Sequence, residues 1–191
     1  ALYTLIIAPA LLGFAAVSPT FTKLILTEKW MPCVPYMCIF ALGFLHYPIL
    51  TIQRPAFLAC GRSDITLKIT VTQNIISLLA ILVTLKFSTL TIAVGTSISL
   101  LAYIPLYVHS TKKYLGISYS MQIGSMLKYV ILAAIMALCI APINMTTMNE
   151  FIKLVLQILL GVLIYISLLM LTKDRYFWGM LNALKERMKA K

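Results

Sequence analysis

Long apolar runs alternate with short polar breaks from one end of the chain to the other. Six runs come near the ~20 residues a helix needs to cross a hydrocarbon core: 2–26, 33–60, 66–85, 89–108, 123–141 and 151–172. A chain in lipid must satisfy its backbone polar groups internally, so runs of this length predict helices. The expected fold class is all-α, a polytopic membrane helix bundle over 1–172. The second run exceeds a single crossing and holds Pro48 and Pro55, which predicts a tilt or kink. Pro9 and Pro19 interrupt the first run and Pro105 the fourth. Membrane helices tolerate such prolines where neighbouring helices or water satisfy the freed carbonyls.

The polar residues inside the runs are not scattered. At about 100° per residue, Thr66, Thr70, Gln73, Asn74, Ser77 and Thr84 fall on one arc of the third run. Ile69, Ile76, Leu79 and Val83 fall opposite and suit lipid. Lipid cannot hydrogen-bond an amide, so this arc must face protein or water. It is either an interhelical bonding surface or the wall of a wet cavity. In the second run His46 and Gln53 share a side, with Tyr47, Thr51 and Arg54 on the neighbouring arc. Leu45, Ile49 and Ile52 lie on the other side, where lipid is expected. Arg54 precedes Gly61 by seven residues, a depth of about 10 Å by helical rise. It either snorkels to headgroups or faces an aqueous cavity, where its planar fork can bind phosphate. Tyr47, Thr51 and Gln53 extend a polar wall on its side and favour the cavity. Thr91, Gly95, Ser99 and Ala102 in the fourth run make a close-packing ridge. Gln157, Gly161 and Tyr165 in the sixth share a stripe that also reads as packing.

Composition sharpens the class. The chain is 61% hydrophobic and 11% charged, whereas soluble domains carry about 25% charged residues. The net charge of +11 sits between apolar runs and at the C-terminus, so it reports topology rather than a nucleic-acid partner. Counted on alternating sides, 12 of the 16 lysines and arginines fall on one side and 4 on the other. The basic side is expected in the cytoplasm with both ends of the chain. In the tail, 173–191, Phe177, Leu181, Leu184 and Met188 recur at helical spacing beside Lys185 and Lys189. That pattern predicts a basic amphipathic helix lying on anionic lipid. The chain starts at Ala1 with no basic segment before Leu2. It therefore reads as a piece of a longer protein rather than as one led by a signal peptide.

Chemistry is sparse. No Asp or Glu lies in the middle of a run; Glu28, Asp64, Glu150, Asp174 and Glu186 are at boundaries or outside. Hydrolases and glycosyl transferases need acids, bases or metal ligands, and two histidines without carboxylates make no metal site. Cys33, Cys38, Cys60 and Cys139 show no paired spacing and read as small apolar residues. Asn144-Met145-Thr146 matches a glycosylation pattern short enough to arise by chance. No enzyme, metal or cofactor is expected. Arginine for charge, and Asn, Gln, Thr and Ser for hydroxyls, fit a transporter of something anionic and sugar-like.

The stretches "ILTEKWMPCVPYMCIFAL" and "FLACGRSDITLK", with the hydropathy pattern around them, resemble the C-terminal half of bacterial polysaccharide transporters. These are lipid-linked oligosaccharide flippases of the multidrug/oligosaccharidyl-lipid/polysaccharide superfamily, close to colanic-acid and lipopolysaccharide O-unit exporters. The resemblance implies most of the second lobe of a two-lobe flippase in the bacterial inner membrane. Such a protein moves undecaprenyl-diphosphate-linked repeat units outward by alternating access. It implies three partners: the anionic diphosphate head of that lipid, membrane lipids, and an N-terminal lobe of the same protein. The expected cavity residues are Arg54, Gln53, Tyr47, Thr51, Gln73, Asn74, Thr70 and Ser77. A multidrug exporter of the same superfamily and a non-transporting scaffold of an envelope-synthesis complex are the alternatives.

Overall fold

The structure, a computed structural model, describes residues 2–172 together with Asp174, Tyr176, Trp178 and Gly179. Its α-helices are α1 Leu2–Phe21, α2 Val34–Gly43, α3 Tyr47–Ala59, α4 Ser63–Thr84, α5 Thr89–Leu101, α6 Tyr103–Leu115, α7 Tyr119–Ile140 and α8 Glu150–Leu171. No strand occurs among the described residues. Among the described residues six helical stretches are long and apolar enough to cross a membrane: Leu2–Leu26, Glu28–Ala59, Ser63–Thr84, Thr89–Leu115, Tyr119–Met145 and Glu150–Leu171. The fold is the multi-pass helix bundle that the hydropathy predicts. The fourth stretch runs seven residues past its predicted end at 108, through the polar turn His109–Leu115. The amphipathic helix expected at 173–191 lies largely outside the described residues.

Prolines set the joints. Proline removes an amide donor and crowds the carbonyl four residues back. Before Pro48 the second stretch tightens into a 3-10 turn, Phe44–His46, between α2 and α3. Before Pro105 the fourth stretch breaks at Ala102, between α5 and α6. Within α1 the carbonyls freed by proline find other donors. Pro9 frees Leu5 O, which accepts from the Tyr165 hydroxyl of α8 at 2.9 Å. Pro19 frees Ala15 O, which accepts from Ser18 Oγ at 2.8 Å and from Cys38 Sγ of α2 at 3.5 Å. The α1 helix then widens into a π-helical turn, Thr22–Leu26.

Two cores hold the bundle. Leu5, Ala8, Leu12, Tyr129, Ala133, Met136, Tyr165 and Leu169 join α1, α7 and α8. Ile49, Phe57, Ile65, Ile69, Tyr107 and Val108 join α3, α4 and α6. Ile49 and Ile69 thus correct the expected lipid faces, being only 7% and 5% exposed. The reason is that α4 has protein on two sides. It meets α5 across Gln73 and meets α3 and α6 across Ile65 and Ile69. Leu79 and Val83, farther along α4, are exposed as expected.

The sixth stretch behaves as packing. Lys153, Gln157, Gly161, Tyr165 and Leu169 form its buried stripe. Asn144 ties that stripe to α1: its Oδ1 accepts from Thr20 Oγ1 and Gln157 Nε2, each at 2.9 Å, and its Nδ2 donates to Ala16 O at 2.9 Å. An amide so engaged is not presented to a glycosylating enzyme. Asn144→Ala leaves two donors without an acceptor, and we expect a loss of about 2 kcal/mol, read as a lower midpoint in thermal unfolding in detergent. The four cysteines are free.

Candidate functional site

The residues expected to share one cavity divide into two groups. Gln53, Gln73 and Ser77 are used in bonds between helices. Gln53 Nε2 donates to Gln122 Oε1 of α7 at 2.6 Å. Gln73, 1% exposed, donates to Ser99 O of α5 and to Ser77 Oγ at 3.3 Å. The Ser77 and Ser99 hydroxyls bond each other at 3.0 Å. The polar arcs of the second and third stretches therefore turn to different neighbours, α7 and α5, rather than to one shared space. Adjacent polar residues on a helix point about 100° apart, so a helix can bond one neighbour and still present a second polar face elsewhere.

That second face is the other group. Arg54 and Tyr47 are exposed on α3, Tyr47 by 53%. Thr51 is half-buried between them and donates to Tyr47 O at 2.9 Å. On α4, Thr70 is half-buried and donates to Thr66 O at 2.9 Å, while Asn74 is exposed. The α4 side chains thus split within one turn, with Gln73 inside and Asn74 outside.

Two tyrosines that hydropathy reading passes over complete the site. Tyr103 and Tyr107 of α6 lie near Arg54. Tyr107 is fully buried against Phe57, its ring centroid 6.3 Å away, and Thr70 is its polar neighbour. The Tyr107 hydroxyl has no well-formed hydrogen bond among the described residues. Tyr103 stacks on His46 at 5.3 Å and 12°. His46 is buried, and its Nδ1 donates to Gly43 O at 2.7 Å, which fixes the ring. The pair Tyr103 and Tyr107 is spaced i, i+4 around Pro105, a signal present in the sequence. It was masked there by the small-residue ridge of the same run.

Arg54 is therefore exposed on α3 close to two tyrosines of α6. Among the described residues no carboxylate pairs with it; the ion pairs are Arg62–Asp64, Lys128–Asp174 and Lys153–Glu150. An arginine so placed can offer paired N–H donors to a planar or tetrahedral anion. The half-buried Tyr103 can supply a neutral hydroxyl donor beside it. Nearer the same end of the bundle, Arg62 lies over the Tyr114 ring at 4.6 Å and Lys112 over Tyr119 at 4.2 Å. The bond from Asp64 raises the Arg62 guanidinium pKa above its ordinary value. Cations stacked on tyrosines at a helix end suit a headgroup layer.

No group of three metal-ligating side chains occurs among the described residues. No family model, no curated protein and no solved structure matches the chain. The likeness to polysaccharide transporters accordingly rests on the quoted stretches and on the hydropathy pattern.

Proposed function

We propose that the chain is most of one lobe of a flippase that carries undecaprenyl-diphosphate-linked oligosaccharides across the bacterial inner membrane. One observation carries the reading: Arg54, with no carboxylate partner among the described residues, is exposed on α3 near Tyr103 and Tyr107, about 8 Å inside the helix end. A cation at that depth is costly in hydrocarbon and is kept where it meets water or an anion. Opposed by a second lobe, the face made by Tyr47, Thr51, Arg54, Thr70 and Asn74 becomes one wall of a cleft. The diphosphate meets Arg54, sugar hydroxyls meet the amide and hydroxyls, and the lipid tail stays in the bilayer. Rocking of the lobes opens the cleft to each side in turn. The 12-to-4 split of basic residues supports placing the Gly61 and Gly116 end in the cytoplasm, with both termini of the chain.

Binding tests the reading. Purified full-length protein is heated with undecaprenyl diphosphate, with uncharged undecaprenol, or with a lipophilic cation. The diphosphate is expected to raise the unfolding midpoint and the alcohol to leave it unchanged. Equal shifts with both lipids would remove the anion from the account. A shift with the cation alone would favour a multidrug exporter.

A further inference from the structure

The α3 and α6 helices end at the same side of the bundle, where the chain turns over Gly61 and Gly116. Both glycines take a left-handed backbone, φ 69° and 70°, which stops each helix in a sharp turn. Tyr107 and Val108 of α6 pack on Phe57 of α3 and on Ile65 and Ile69 of α4, which brings the two turns together. Arg62 follows the first glycine, and Lys112 and Lys113 precede the second. All three side chains are exposed.

Tyrosines gather these cations. The Tyr114 ring has Arg62 at 4.6 Å and Lys113 at 5.4 Å from its centroid, which puts the two charges at most 10.0 Å apart. Lys112 lies over Tyr119, whose hydroxyl shares a hydrogen bond of 2.9 Å with His109 Nδ1. Among the described residues a single carboxylate pairs with any of the three: Asp64 accepts from Arg62 Nε at 3.2 Å. A guanidinium has five N–H donors, so that bond leaves both terminal nitrogens of Arg62 open. A planar fork held between a carboxylate and a ring is prepared for a phosphate. Exposed apolar side chains flank the cations, Leu67 one turn into α4 and Ile117 just past α6. A soluble anion has no use for them, whereas the chains of a lipid do.

We propose that this cluster is a binding site for an anionic phospholipid of the phosphatidylglycerol kind. Arg62 and Lys113 engage its phosphate, Lys112 adds charge beside them, and Leu67 and Ile117 meet its acyl chains. The bound lipid ties the turn between α3 and α4 to the end of α6. A zwitterionic lipid is disfavoured because its headgroup brings a cation of its own to a basic surface. The site is separate from Arg54, eight residues earlier in the chain. The inference does not depend on the transport reading, since lipid binding is measured without a transported substrate.

Native mass spectrometry of the purified full-length protein tests this by counting bound molecules. Phosphatidylglycerol, phosphatidylcholine and sn-glycerol 3-phosphate are added in separate titrations. Phosphatidylglycerol is expected to bind about ten-fold more tightly than phosphatidylcholine, and glycerol phosphate not to bind over the same range. Changing Arg62→Gln and Lys113→Gln together should weaken phosphatidylglycerol roughly 25-fold, about five-fold per charge, with phosphatidylcholine unchanged. Tyr114→Leu keeps every charge and removes the shared ring, and should weaken it about three-fold. Lys29→Gln with Lys86→Gln takes the same charge from exposed positions at the other end of the bundle and should bind as the native protein does. No loss in the Arg62 and Lys113 variant, or an equal loss in the Lys29 and Lys86 variant, would overturn the proposal. So would a parallel loss of phosphatidylcholine, since the bundle itself would then have changed. Glycerol phosphate binding as tightly as the lipid would also overturn it, leaving a site for a soluble anion.

Discussion

Replacing Arg54 by Ala in the full-length protein is expected to cut export of surface polysaccharide by roughly 10- to 100-fold at equal protein level. The figure follows from the ~1.5–3 kcal/mol of a hydrogen bond to a charged group, at ten-fold per 1.4 kcal/mol. Arg54→Lys should fall between, because it keeps the charge and loses the two-pronged donor. Stability should change little in either variant, since Arg54 is exposed and makes no ion pair among the described residues. That separation matters: a structural arginine would lower expression and activity together. Normal export in both variants would take Arg54 out of the site. It would leave a snorkelling side chain or a scaffold protein as the better description.

The second large effect is on folding. Gly43→Leu should lower stability by about 3 kcal/mol and the unfolding midpoint by roughly 6–12 °C. A Cβ at Gly43 would lie 2.9 Å from both Cβ and Oγ of Ser97 and 3.1 Å from Ser97 Cα. Side-chain rotation cannot relieve a contact with Cα, so α2 and α5 have to move apart. Small residues at such crossings let helix backbones approach, and tight packing is a main source of helix association in lipid. The movement also displaces His46, whose ring is fixed by Gly43 O and stacks on Tyr103. The Arg54 site should therefore suffer along with stability. Gly124→Ala is the control: its added Cβ meets nothing within 4 Å, and no loss of stability is expected.

The fold was legible in the sequence because bilayer thickness dictates run length and lipid forces every backbone group into a helix. The kink before Pro48 and the carbonyls freed by Pro9 and Pro19 follow from the same logic. Periodicity was weaker on direction. It put Ile49 and Ile69 toward lipid, since one helix seen alone has only two sides. In the bundle α3 and α4 each meet several neighbours, and both isoleucines are core. For the site, adjacency in sequence misled. Gln53 and Arg54 are neighbours, as are Gln73 and Asn74, yet each pair splits between an interhelical bond and an exposed face. Tyr103 and Tyr107 come to Arg54 from another helix, and no local pattern announces a partner about 50 residues away. The pairing of Asp174 with Lys128 was equally hidden, the acid being one residue between a membrane run and a basic tail.

The central claim is that the exposed polar face of α3 borders water. Exposure alone does not distinguish it from the lipid-facing residues of α4, since Tyr47 is 53% exposed and Ile75 also 53%. Positions of similar depth make the comparison fair: Arg54 with Val71, and the deeper Tyr47 with Ile75. Each is changed singly to Cys in a cysteine-free background, and labelling is timed with a thiol reagent that needs water. The account predicts fast labelling at Arg54→Cys and Tyr47→Cys and slow labelling at Val71→Cys and Ile75→Cys. Labelling at the two α3 positions as slow as at Val71 and Ile75 would contradict it.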